Sequence, residues 1–364
     1  MSTLLGTYLL VIGFLLITSV YLDRVGNRLR LPGVLLVLLL GLLTHNEVHV
    51  GSQTPPLLSL PQASGLAQVA VAVVLFQAGI STNWQQMRSV ARPGLRLALL
   101  GSTLTALLLM LVLQKLPFDF LSISHTSWAM PLFVGAMVCS TDASAVISVL
   151  RPQAGQFPQR VLDLLEFESS VNDPIAVVLA SVGLTVGMTA QHSAAATTQT
   201  AQLIGEGPLI ANDVLRQLLI GALIGFMVGS LVARLLETKT EVIEAGHRER
   251  RAVLILAMLL VVLGITSLGG GSPLLAAYIT GLLIGNGEDQ SAVEFQVSLG
   301  SYGKLAELVL FLSMGLVVEP LQVLQLLPWI VLLAVLMLLV RFVVVFLLLG
   351  NSFTTAPKQF VCFC

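Results

Sequence analysis

Apolar runs long enough to cross a bilayer recur from Leu4 to Leu349, separated by polar stretches, and this recurrence decides the kind of fold before any single side chain is considered. In hydrocarbon a backbone must satisfy its own hydrogen bonds, so such runs become helices. About 20 apolar residues span a bilayer as a helix, and on that ruler the chain holds roughly 11 spans. They lie near 4–22, 31–49, 65–82, 95–114, 128–150, 161–188, 209–236, 252–268, 272–287, 303–318 and 326–350. With 56% hydrophobic and 10% charged residues, a soluble domain would expose large apolar patches. The chain therefore reads as an all-α polytopic membrane protein, and the lipid bilayer as its surroundings.

The charges orient it. Arg24, Arg28 and Arg30, then Arg88, Arg92 and Arg96, then Arg151 and Arg160, then Lys239 and Arg248 to Arg251, and finally Lys304 follow odd-numbered spans. Lys115 is the exception after an even one. The positive-inside rule then puts the N-terminus outside and the C-terminus in the cytoplasm, in the cell (inner) membrane. The run 4–22 lacks a basic leader and a small-residue cleavage site, and reads as a retained helix. A net charge of −1 offers no general attraction to nucleic acid. Cys139, Cys362 and Cys364 have neither disulfide-framework nor metal-site spacing, and Gly269-Gly270-Gly271 lacks the Lys-Ser/Thr ending of a phosphate loop. No cofactor is expected. The polar stretch Gln191 to Gln202 reads as an external loop and Glu237 to Arg251 as a solvated cytoplasmic face.

An internal repeat is visible. Leu31-Pro32-Gly33 followed by Gly41-Leu42-Leu43 resembles Ser272-Pro273 followed by Gly281-Leu282-Leu283, and Val74 to Gly79 resembles Val309 to Gly315. These pair spans two with nine and three with ten, an odd offset, so the copies cross the membrane in opposite directions. Inverted repeats of this kind are common in secondary transporters. The expected organisation is an N-terminal repeat over 1–188, a loop, linker helix and second loop over 189–251, and an incomplete inverted repeat over 252–364.

Ionisable residues at bilayer depth are costly and mark ion or proton pathways. Asp142 lies in Ser140-Thr141-Asp142-Ala143-Ser144, and Asp173 ends Glu166-Phe167-Glu168-Ser169-Ser170-Val171-Asn172-Asp173. Helical spacing sets Ser169 under Asp173 and Glu168 under Asn172, on faces about 100° apart. One face can hold a cation while its neighbour braces the helix; the alternative is a kinked helix with a satisfied polar patch. Pro174 removes a backbone donor near residue 170. The Ser, Thr and Asp cluster around Asp142 fits a locally unwound helix, where Thr141 offers either its carbonyl or its hydroxyl. Arg341, inside the last apolar run, either snorkels to the interface or pairs with a buried acid; Glu168 is the acid that needs a counter-charge.

At these residues the chain resembles the NhaP-type cation:proton antiporters: STDASAV, FESSVNDP, GSPLLAAYITGLLIGN and VRFVVVF carry the likeness over nearly the whole length. The resemblance implies an inverted-repeat, dimeric fold in which Asp173 alternately binds a proton or a cation, Na+ or Li+ or else K+. It implies that Asp142, Ser169 and the Thr141 main chain complete the ion site, and that Glu168 pairs with Arg341 as a brace. Asn172 before Asp173 resembles the electroneutral members. Gln77 stands near where many members have an acid, an accessory position. The family continues beyond Arg341 with two further helices, so the expectation is a C-terminally truncated chain.

The implied mechanism needs only competition. A bare carboxylate in a low-dielectric interior is unfavourable, so Asp173 holds either a proton or a cation, and coupling follows if only loaded states change access. Two rivals remain: a non-transporting remnant of such a carrier, and an intramembrane aspartyl protease, whose Gly-x-Gly-Asp motif is missing because Asn172 precedes Asp173.

Overall fold

The computed structural model describes residues 3–29, 31–44, 46, 56–115, 128–141, 158–192, 199–237, 248–287 and 291–349. Its longer helices are α1 (Thr3–Leu29), α2 (Gly33–Leu43), α3 (Leu60–Ser81), α4 (Ala91–Leu113), α5 (Ala129–Cys139), α6 (Gln159–His192), α7 (Gln199–Glu237), α8 (Arg248–Leu268), α9 (Pro273–Gly285), α10 (Ser291–Val317) and α11 (Pro320–Leu349). Each apolar run read from the sequence coincides with one of them.

The ends differ in an instructive way. Helix α7 starts at Gln199 and α10 at Ser291, well before their apolar runs. Hydropathy marks the part of a helix that meets lipid, whereas an established helix adds one hydrogen bond per further residue, polar or not. Within the interval read as the loop Gln191–Gln202, residues 191–192 and 199–202 are helical, and 193–198 lie outside the described residues. In α2 the helix stops at Leu43 because Thr44 turns extended.

Buried clusters sort the helices into two bundles. Val90, Leu97, Leu164, Phe167 and Val345 form one core of α4, α6 and α11; Ala106, Leu132, Cys139 and Ala176 extend it to α5. Elsewhere Phe76, Ile80, Val232, Leu259 and Ala277 join α3, α7, α8 and α9, while Leu15, Val37, Leu308 and Leu312 join α1, α2 and α10. No described buried cluster mixes the two sets, although α6 touches α3, α7 and α9 across them, and within the second set α3 packs directly on α9 and α10. Residues between α3 and α4 run along the seam, where the Trp84 ring lies 6.4 Å from that of Phe167 and its amide donates to Asn286 Oδ1 at 2.7 Å.

The second bundle carries a two-fold pattern. Helix α2 packs on α10 as α9 packs on α3, and α1 on α2 as α8 on α9, which is what a seven-helix offset requires. Glycines set both crossings. A methyl on Gly315 would lie 2.3 Å from the Leu38 carbonyl oxygen and 2.9 Å from Gly41 Cα. At the equivalent crossing a methyl on Gly281 would lie 2.2 Å from the Phe76 carbonyl oxygen, and one on Gly79 2.3 Å from that of Tyr278. With no large hydrophobic gain between helices in lipid, close backbone approach through small residues is the available means of association. The repeat-related α2 and α9 are also both short, at 11 and 13 residues.

Candidate functional site

The first bundle sets a helix that ends within its apolar run beside one that continues. Helix α5 ends at Cys139, and Ser140 is extended at φ −74° and ψ 142°, in the middle of the run read as a span over 128–150. Helix α6 continues without interruption from Gln159 to His192. Helix ends leave carbonyls without intrahelical donors, so the end of α5 presents bare acceptors and the negative end of its dipole inside the bundle.

Arg341 meets that end. Its Nη1 donates to the Cys139 carbonyl at 3.5 Å and its Nη2 to Thr141 Oγ1 at 3.3 Å. The same Nη2 lies 3.0 Å from Glu168 Oε2, and both side chains are only 3–4% exposed. Of the two options open to Arg341, the structure takes pairing with the buried acid. A guanidinium suits this position because its donors fan out in one plane toward several acceptors.

Asn172 knits the corner from α6. Its Nδ2 donates to Glu168 Oε1 and to Thr141 Oγ1, each at 3.0 Å, and its Oδ1 accepts from the Ser140 hydroxyl at 3.4 Å. Thr141 Oγ1 therefore accepts from Asn172 and Arg341 together. A hydroxyl has two acceptor positions, so the Thr141 hydroxyl is committed to the brace. Its main-chain carbonyl faces the other way and accepts from the Ser169 hydroxyl. The two Thr141 oxygens are thus divided: the hydroxyl bonds the brace, and the carbonyl oxygen meets the Ser169 hydroxyl.

Asp173 falls one helical turn beyond Ser169 on α6. Asp142 follows Thr141 directly and lies outside the described residues. Gln77 is placed elsewhere, on α3 against α10, where a methyl on Gly303 would strike its side-chain oxygen. Glu168, Ser169, Asn172, Thr141 and Arg341 are thus brought together. Ser140 and the Cys139 carbonyl join them without having been singled out. The Ser-Thr cluster signalled Ser140, whereas a backbone carbonyl leaves no trace in a sequence.

With this geometry in hand, the comparisons can be stated. Residues 13–363 match the family described as sodium/hydrogen exchanger, transmembrane. A K(+)/H(+) antiporter NhaP of Alkalimonas amylolytica is 29% identical over 92% of this chain and 53% of its own length. A K(+)/H(+) antiporter NhaP2 of a Shewanella species is 28% identical over 98% of this chain and 58% of its own. A Na(+)/H(+) antiporter NhaS2 of Synechocystis is 26% identical over 86% of this chain and 52% of its own. The chain thus spans little more than half the length of these curated relatives. The solved structure of the sodium proton antiporter MjNhaP1 from Methanocaldococcus jannaschii superposes with a TM-score of 0.75 at 20% identity, covering 100% of this chain and 85% of that one.

Proposed function

Because the chain belongs to the transmembrane sodium/hydrogen exchanger family, we propose that it exchanges protons for monovalent cations, Na+, Li+ or K+, across a membrane, with both competing for Asp173. The observation that carries this reading is the meeting of the Thr141 carbonyl and the Ser169 hydroxyl, one turn from Asp173, where a helix that ends within its apolar run lies against one that continues. Hard cations take oxygen ligands; these two oxygens, with carboxylates supplied by Asp142, next in sequence to Thr141, and Asp173, one turn from Ser169, make the proposed cation site that a proton can replace.

The brace explains why the ligands hold still. Arg341 and Glu168 neutralise each other, and Asn172 ties them to Thr141. The network adds no net charge beside the site, so the charge Asp173 carries is set by its own occupant. Exchange of one proton for one cation then leaves the buried charge unchanged, in keeping with the electroneutral members that the Asn172-Asp173 pair resembles. Relatives are named for both potassium and sodium, and the cation is a matter for measurement. Residues 1–188 and 252–364 act as inverted repeats flanking a connecting segment, 189–251. The protein works as a homodimer in the cell (inner) membrane, with its N-terminus outside and its C-terminus in the cytoplasm; Gln77 acts as an accessory to cation choice.

The test is cation-induced proton efflux from proteoliposomes containing the chain, with sodium, lithium and potassium added in turn at several pH values and Asp173→Ala as control. The parent should respond to at least one cation and the variant to none. A variant that exchanges as fast as the parent would remove Asp173 from the central role.

A further inference from the structure

Among the described residues, three buried polar atoms on α4 and α11 have no hydrogen-bond partner: the Ser102 and Thr105 hydroxyls and Arg341 Nε. Their residues are 0%, 1% and 4% exposed. The two hydroxyls depart from the common treatment of helical hydroxyls in this chain, in which even the exceptions find a carbonyl, Thr280 that of Gly225 and Ser313 that of Leu310. Thr18, Ser19, Thr44, Thr82 and Thr266 each bond the carbonyl four residues back, the usual way to hide a hydroxyl in an apolar helix. Ser102 and Thr105 do not, and their oxygens are left to partners outside their own helix.

The backbone prepares this. Leu97–Gly101 forms a π-helical turn within α4, after which the Ser102 amide reaches back five residues to the Leu97 carbonyl. Single π turns are uncommon and concentrate where a helix has work to do. Three residues apart, Ser102 and Thr105 share one face just past the turn.

The residues that carry the three atoms lie on α4 and α11, which pack on each other and on α5. Ala106, next to Thr105, packs with Cys139, and it is the Cys139 carbonyl that accepts from Arg341. Gly101 faces Leu348 while Leu113 packs near Trp329 and Leu333, so α4 and α11 run antiparallel. That register brings Arg341 within roughly one turn of the level of Thr105.

We propose that this junction is a water-binding seam along α4: ordered water hydrogen-bonded to Ser102, Thr105 and the Nε edge of Arg341, leading from the π turn to the back of the Cys139–Thr141 segment. A buried polar site with several converging groups is what holds internal water, whereas an apolar one stays dry. On the antiport reading above, on which this part rests, the seam is a hydrogen-bonded route for protons to the site.

The experiment is thiol accessibility in a background with Cys139→Ala, Cys362→Ser and Cys364→Ser. Cysteines placed one at a time at Ser102, Thr105, Ala106 and Leu109 are treated with a small water-soluble methanethiosulfonate. All four positions are essentially buried, so burial alone predicts equal, slow rates. A thiol reacts as its thiolate, which needs water to form, so the seam predicts modification at Ser102 and Thr105 at least ~10-fold faster than at Ala106 and Leu109. Equal rates at all four would overturn the seam. Labelling needs no transport, so its outcome stands apart from the proton-efflux test. Thr105→Val then tests the proton route: it should slow exchange while leaving thermal stability intact, and unchanged exchange would show that the seam carries no protons.

Discussion

Arg341 is the residue on which the site's geometry turns, because one guanidinium satisfies a helix end, a hydroxyl and a carboxylate at once. Removing one partner of a buried ion pair strands the other, at a cost of about 3–5 kcal/mol. Arg341→Ala should therefore lower thermal stability in detergent markedly, and Arg341→Lys should restore little, since an ammonium lacks the fork that reaches Cys139, Thr141 and Glu168 together. A fully stable alanine variant would count against the brace. Asn172→Asp should also destabilise: it replaces the amide that donates to Glu168 and Thr141 with an acceptor facing an acceptor, at about 1–3 kcal/mol. The loss should be smallest at acid pH, where a protonated carboxyl can donate again, and melting curves across pH would show it. At this scale the sequence displayed the acids, since charges inside apolar runs are conspicuous. It could not display that Thr141 divides its two oxygens between the brace and Ser169, because that depends on which helix its hydroxyl meets.

Among elements, the glycine crossings of α2 with α10 and α3 with α9 are the most exacting contacts. A methyl at Gly281 or Gly315 would press on a carbonyl oxygen of the facing helix at 2.2 and 2.3 Å, and backbone cannot step aside as a side chain can. Gly281→Ala and Gly315→Ala should each cost at least the ~1–3 kcal/mol of an overpacked interior. Gly264 on α8 meets nothing within 4 Å, so Gly264→Ala should be neutral or gain the ~0.5–1 kcal/mol of helix propensity. Ranking the three by melting temperature checks the idea; equal shifts would mean that the crossings are looser than they stand here. The matching of Gly41-Leu42-Leu43 with Gly281-Leu282-Leu283 was readable beforehand. Its partner relation was not: Gly41 crosses Gly315 and Gly281 crosses Gly79, so each glycine meets the repeat counterpart of its mate's partner.

At the scale of the whole molecule, the described helices form two bundles whose buried cores do not mix, and the exchange proposed above requires that one move against the other if the site is to change sides. Cross-linking across the seam, between cysteines at Trp84 and Phe167 whose rings now lie 6.4 Å apart, should stop proton efflux. Cross-linking within one bundle, between cysteines at Asp23 and Lys304 whose charged ends are 2.8 Å apart, should leave it running. Loss of efflux with both links, or with neither, would argue against motion between bundles. By itself the sequence determined the class of fold and the order of the described helices, displayed their inverted repeat and pointed to acids at depth, because bilayer thickness and the cost of buried charge act on each segment separately. Only the tertiary structure decided which helices share a core, that α5 stops where Arg341 can reach it, and that the Ser102 and Thr105 hydroxyls are buried without a partner among the described residues. Those outcomes depend on contacts between residues far apart in the chain, which no local pattern of hydropathy, charge or spacing encodes.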